Sequence, residues 1–180
     1  MKIKFGKLER IVGRVLIAGA LVAGISGCDD WDEPEPEPPV VVQPTYDNVV
    51  VSAEKPSSYS GAGEFMPRGQ AEGARTWLMH TGSTANYNVK LRPNSTYSCV
   101  SRYSNDGHGD SISILFNDNK IMDFYTHDMG DWGRGWNNFA DSPTVQLTTG
   151  AETNNTLSIR ANHTDSYGVE MDSINLTRQK

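Results

Sequence analysis

The sequence predicts an all-β domain, a sandwich or barrel of about ten short antiparallel strands, and three observations carry that expectation. From residue 46 onward the apolar side chains fall in short alternating or β-branched runs. Gly, Asn and Asp separate those runs at regular intervals, and no stretch sustains a helical period. In chain order the strands are expected at residues 49–54, 76–79, 87–91, 96–103, 111–116, 120–125, 136–139, 144–147, 156–161 and 169–176. Alternation is clearest at 96–103, where Tyr97, Cys99 and Tyr103 fall on one face and Ser98, Val100 and Arg102 on the other. Asn117-Asp118-Asn119 between two such runs is a tight hairpin signal, and Thr149-Gly150-Ala151 with Asn154-Asn155 marks a second turn.

The 180 residues carry 16 Lys+Arg against 22 Asp+Glu, a formal net charge of −6. That acidic balance argues against electrostatic binding to nucleic-acid phosphates, and two cysteines cannot build a disulfide-dense scaffold. The charge is unevenly placed. Five basic residues, from Lys2 to Arg14, precede an uncharged apolar run at 15–25, the length of a signal-peptide core and too short to span a bilayer. The run stops at Ile25-Ser26-Gly27-Cys28, which resembles the lipobox of bacterial lipoproteins; the resemblance implies cleavage of residues 1–27 and acylation of Cys28. A multiply acylated cysteine would hold the protein on a membrane without a spanning helix. Asp29 and Asp30 follow it, which leans the expected location toward a periplasm-facing site in the cell envelope, inner or outer membrane left open.

Residues 28–45 read as that cysteine and a tether. Positions 29–45 hold six acids, five prolines and no basic residue, a composition that favours an extended, solvated spacer. The remaining region, 46–180, has eleven basic against fifteen acidic residues and is the expected globular domain. Cys99 would be its one cysteine, read as a buried thiol in a strand.

The order of landmarks in the second half is more specific. Tyr97-x-Cys99-x-Ser101-Arg102-Tyr103-Ser104-Asn105 is followed by Ile114-Leu115-Phe116-Asn117-Asp118, Gly130-Asp131-Trp132 with Trp136, Val145-x-Leu147-x-x-x-Gly150, Leu157-x-Ile159 and Met171-Asp172-x-Ile174. This series resembles the family 6 and family 35 carbohydrate-binding modules over roughly residues 50–178. The resemblance implies a jelly-roll β-sandwich, a structural calcium ion, sugar binding in a cleft of loops at one end, and no catalysis by the domain.

A pyranose offers an apolar C–H face and a ring of hydroxyls, so aromatic planes and planar hydrogen-bonding side chains are the groups that grip it. By resemblance, Trp132, in a Gly-rich polar loop, is the stacking aromatic and Trp136 a core aromatic on the next strand. Trp77 stands at the position of a second stacking platform. Glu170 replaces an amide two positions before the final Asp, which tilts the expected ligand toward neutral sugars. Tyr167, Asn162 and His163 lie at or beside the same expected loop. Glu54 and Asp172 match the family's calcium-binding carboxylates, with Ser52 standing where many members have another Glu. Asn105-Asp106-Gly107-His108-Gly109-Asp110 is oxygen-rich but departs from the EF-hand pattern and reads as a plain hairpin loop.

Catalytic patterns are thin. G-x-S-x-G, H-E-x-x-H and the P-loop pattern do not occur, and His80, His108, His127 and His163 are scattered. The reading that follows is a monomeric, non-catalytic, membrane-tethered protein that captures a poly- or oligosaccharide. The alternatives are an envelope protein-interaction module and, using an acid pair such as Asp128 and Asp131, a small glycoside-active enzyme.

Overall fold

The computed structural model describes residues 46–130 and 135–180. The expectations placed on Cys28, on segments 1–27 and 28–45 and on Trp132 lie outside those residues. The chain divides after Val41, and all described residues belong to the unit Val42–Lys180.

Twelve strands are described: β1 (Asn48–Ser52), β2 (Ser58–Ser60), β3 (Gly63–Pro67), β4 (Arg75–Met79), β5 (Thr84–Lys90), β6 (Thr96–Ser104), β7 (Ser111–Phe116), β8 (Asn119–Tyr125), β9 (Ala140–Asp141), β10 (Val145–Thr148), β11 (Asn154–His163) and β12 (Val169–Arg178). They form two antiparallel sheets. The larger has seven strands in the order β10-β6-β12-β4-β3, with β1 also on β12 and β9 on β6; the smaller runs β2-β5-β11-β7-β8. The first and last strands thus lie side by side, Val49 opposite Leu176 and Val51 opposite Ile174. The architecture is the two-layer sandwich that alternation in the sequence implies.

The core is the inner face of both sheets. Tyr97, Cys99 and Tyr103 of β6, Met171, Ile174 and Leu176 of β12, Ile112 and Ile114 of β7, and Leu157 and Ile159 of β11 are all buried in one cluster. Burying a large apolar side chain stabilises a fold by about 1.5–3 kcal/mol, so this cluster outweighs any single polar contact. The tyrosines bury their rings without orphaning their hydroxyls: Tyr87 donates to Ala53 O at 3.1 Å and Tyr97 to Tyr46 O at 2.8 Å. Burial pushes the Cys99 thiol up to about 12, which fits an unreactive core residue.

The strand expectations meet the structure closely where alternation is strong and depart from it at the margins. β7 has the expected bounds, and Asn117 (φ 48°) and Asp118 (φ 64°) turn the chain into β8 in the left-handed region that Asn and Asp tolerate. The expected strand at 136–139 is instead a 3-10 turn, Gly135–Asn137, whose half-buried Trp136 lies on the outer side of the larger sheet with Arg68 5.8 Å from its ring centroid. Strands β2, β3 and β9 had no sequence signal. They are two to five residues long and largely polar or Gly-bounded, and they pair at sheet edges, where one neighbour supplies the hydrogen bonds that composition does not advertise.

Candidate functional site

Three connections meet at the end of the sandwich where β6, β8 and β11 finish. They are 105–110 between β6 and β7, the segment after Tyr125, and 164–168 between β11 and β12. Between them lies a cleft of about 160 Å3, bordered by Asp106, Gly107, His108, Asp128 and the run Asp165-Ser166-Tyr167. Tyr167 is 55% exposed, one of the few large rings left open to solvent.

The loops are held by hydrogen bonds from short polar side chains. Asp165 Oδ1 accepts from the N–H groups of Tyr167 (2.8 Å) and Gly168 (3.1 Å), an Asx turn that Gly168 completes at φ +79°. Its Oδ2 accepts from His108 N–H at 3.1 Å and ties the first loop to the third. A Cβ on Gly107 would run into that same oxygen, so a larger residue there would push the Asp165 carboxylate off the His108 N–H. Asp110, fully buried at the start of β7, accepts from Asp165 N–H at 2.8 Å through Oδ1, while its Oδ2 is buried without a partner. Burial pushes its carboxyl up to about 6; the Asp165 N–H bond opposes the shift, the Asp165 charge adds to it, and His163 and His80 act against it. Asn105 completes the frame, its Nδ2 donating to His108 O (2.9 Å) and to Thr126 Oγ1 (3.0 Å).

Gly130 and Gly135 pack backbone to backbone beside Asp106, where a side chain on either would collide with the other.

Of the ligand residues expected from sequence, Tyr167 lines the cleft. Trp132 lies outside the described residues. Trp77 is corrected: it points inward from β4, is 0% exposed, and is covered by Tyr59 in an edge contact with ring centroids 5.9 Å apart, so neither ring face is open to a sugar. The reason is register, since Trp77 pairs with Met171 on the core side of β12. Glu170 is corrected as well. It is 1% exposed, its carboxylate takes both Arg68 Nη2 and, at 2.8 Å, Arg68 Nε, and Thr76 Oγ1 donates to it at 2.7 Å. Those bonds fill the positions that sugar hydroxyls would use. Asn162 stands on the outer face of the smaller sheet, donating to Ser113 Oγ at 2.7 Å, away from the cleft. Asp106, His108, Asp128 and Asp165 were not singled out in advance as sugar ligands. Their only sequence signal is an abundance of Asp and Gly in loops, which also describes ordinary turns.

The residues implied as calcium ligands gather around the turn Glu72–Ala74. Glu72 N–H donates to Asp172 Oδ1 at 2.6 Å, and Gly73 packs against Glu54 Oε1 and Ser52 Oγ. Asp172 is fully buried, which raises its carboxyl above the usual range, and Arg102 Nη1 lies 2.5 Å from its Oδ2. No group of three His, Cys, Asp or Glu side chains is arranged to hold a metal among the described residues. Calcium takes six to eight oxygens, backbone carbonyls included, so the observation that bears on its fit is Asp172 itself, whose two carboxylate oxygens are already taken by the Glu72 N–H and Arg102.

No protein-family model matches the sequence, and no curated protein matches it. Solved structures do match. A family 35 carbohydrate-binding module from Clostridium thermocellum is similar with a TM-score of 0.61 at 17% identity, covering 72% of this chain and 96% of that one. The C-terminal family 6 module of a marine laminarinase from Zobellia galactanivorans gives 0.60 at 13%, covering 72% and 98%. A family 6 module of a Cellvibrio mixtus lichenase, solved with cellotriose, gives 0.57 at 16%, covering 73% and 98%. Where the similar chain is an enzyme, the exo-β-1,3-galactanase of Phanerochaete chrysosporium, the match spans 29% of it. The described domain has the β-sandwich fold of the family 6 and family 35 carbohydrate-binding modules.

Proposed function

We propose that this protein is a non-catalytic carbohydrate-binding lipoprotein, and that the cleft at the β6, β8 and β11 ends is where it captures a poly- or oligosaccharide. The observation that carries the reading is Tyr167, an open aromatic ring at the rim of a cleft bordered by Asp106, His108, Asp128 and Asp165. A ring of this kind covers the C–H face of a pyranose, and the Asp128 carboxylate can accept hydroxyl hydrogen bonds of the stronger, charge-assisted kind, while Asp165, whose oxygens hold the N–H groups of Tyr167, Gly168 and His108, shapes the cleft. Trp132 belongs to the loop that departs from Gly130 beside Asp106, and it serves in this reading as a second aromatic. The three cleft carboxylates repel uronates, so the ligand class is a neutral glycan. Acylation at Cys28 and the acidic, Pro-rich spacer would present the domain away from the membrane, facing the periplasm.

The test is a glycan array on the full chain, followed by titration of the recognised polysaccharide with wild type and Tyr167→Ala. Loss of one stacking ring at an exposed position is expected to weaken binding roughly 10-fold or more with the melting temperature unchanged. Unchanged affinity in Tyr167→Ala would remove the cleft assignment, and retention of a protein with no glycan signal would favour the interaction-module alternative.

A further inference from the structure

Asp172 sits at a break in register: β12 pairs with β6 up to Met171 opposite Tyr103 and resumes at Ser173 opposite Arg102, leaving Asp172 as the extra residue. A bulge of this kind re-aims a side chain, here into a site that contains a positive charge already. Arg102 Nη1 is 2.5 Å from Asp172 Oδ2 and also donates to Gln70 O at 3.2 Å, and its guanidinium carbon lies 4.3 Å from the centroid of the Phe139 ring. The other carboxylate oxygen holds the Glu72 N–H. Both oxygens of Asp172 are thus engaged, and its charge is matched within the chain.

The neighbouring positions agree. Ser52 offers one neutral hydroxyl, buried and without a partner, in place of a second carboxylate, so it supplies none of the charge that a divalent ion needs, and Glu54 faces Gly73 with Lys55 Nζ 3.7 Å away. A divalent ion at Asp172 would have to displace Arg102 or sit beside it, like charge against like charge in a buried place.

We propose that the Arg102 guanidinium is the resident cation of this site. It takes the part that a structural calcium ion plays in the resemblance, and the domain is stable without calcium. Calcium holds strands together through several oxygens at once, and Arg102 does so by three different contacts. The ion pair joins β6 to β12, the bond to Gln70 O pins the connection before β4, and the Phe139 contact fastens the segment before β9. A planar guanidinium can bond a carboxylate and a carbonyl while its face rests on a ring, which a lysine ammonium cannot.

The experiment is thermal unfolding of the full chain in excess EDTA and in calcium titrated past the roughly millimolar range in which extracellular calcium modules bind, with calorimetric titration of calcium alone. The expected result is superimposable melting curves and no binding heat. A calcium-dependent rise of roughly 5 °C or more, or saturable binding, would overturn the proposal. Arg102→Met should lower the melting temperature, and Arg102→Met/Asp172→Asn should recover part of the loss because it removes the stranded carboxylate. An Arg102→Met protein as stable as wild type would also overturn it. If that variant does not fold, the wild-type calcium titration decides alone. Both readouts are independent of glycan binding, so failure here and failure of the sugar-binding reading are separate results.

Discussion

Asp110→Asn probes the frame beneath the cleft by changing one charge and almost no shape. The wild-type carboxyl is buried, with Oδ1 on the Asp165 N–H and Oδ2 without a partner, and its folded value is pushed up to about 6 from 3.8. Because the folded value is the higher one, the group's contribution is fully present below the unfolded value and is lost as pH rises through about 6. The interval corresponds to about 3 kcal/mol at neutral pH and above. Asparagine keeps an oxygen for the Asp165 N–H and never ionises. Asp110→Asn and wild type are therefore expected to unfold at equal free energy near about pH 3, and by about pH 8 the variant should be the more stable by about 3 kcal/mol. Urea unfolding of both proteins across that range measures the gap, and subtracting the curves cancels the titration of the shared groups that do not interact with Asp110, leaving its coupling to Asp165, His163 and His80 in the difference. A gap that stays flat with pH, or favours wild type at the alkaline end, refutes the account of a strained, ionised Asp110.

Trp77→Ala should cost about 3–5 kcal/mol of stability, the range for truncating a buried aromatic, because the ring is 0% exposed and lies among core residues. Denaturant titration checks it, and a loss below about 1 kcal/mol would mean the ring is not packed as described. Glu170→Ala strands Arg68 and the Thr76 hydroxyl, and breaking a buried pair from one side costs about 3–5 kcal/mol. Glycan affinity per folded molecule should be unchanged in that variant, which a titration at low temperature measures; weakened affinity would return Glu170 to the binding site.

The fold is legible in the residues because a sandwich face buried on one side enforces a period of two over a strand. Tyr97 to Tyr103 could hardly pair in any other register without turning apolar side chains to water. The short edge strands β2, β3 and β9 escaped because an edge can be built from almost any polar sequence once a partner strand is in place. For the candidate site, the sequence singled out Tyr167, and the structure places that ring at the rim of the loop cleft. Which other side chains face the cleft was not legible, because Trp77 on β4 and Glu170 on its neighbour β12 sit in strands whose two faces are both covered. The inner face packs on the core. The outer face lies under the 68–75 connection and the turn that carries Trp136, so a polar residue there is paired and buried instead of open.

By itself, then, the sequence determined the all-β class, the course of the main strands and the tight turn at Asn117-Asp118. Only the tertiary structure decided that Asp165 joins two loops into a cleft, that Trp77 is core, and that Asp172 meets Arg102 rather than a free coordination sphere. The physical reason is range. Alternation and turn chemistry act between neighbours in the chain, whereas Arg102 and Asp172 are 70 residues apart and come together only after the bulge in β12 sets the register of strands that composition cannot order.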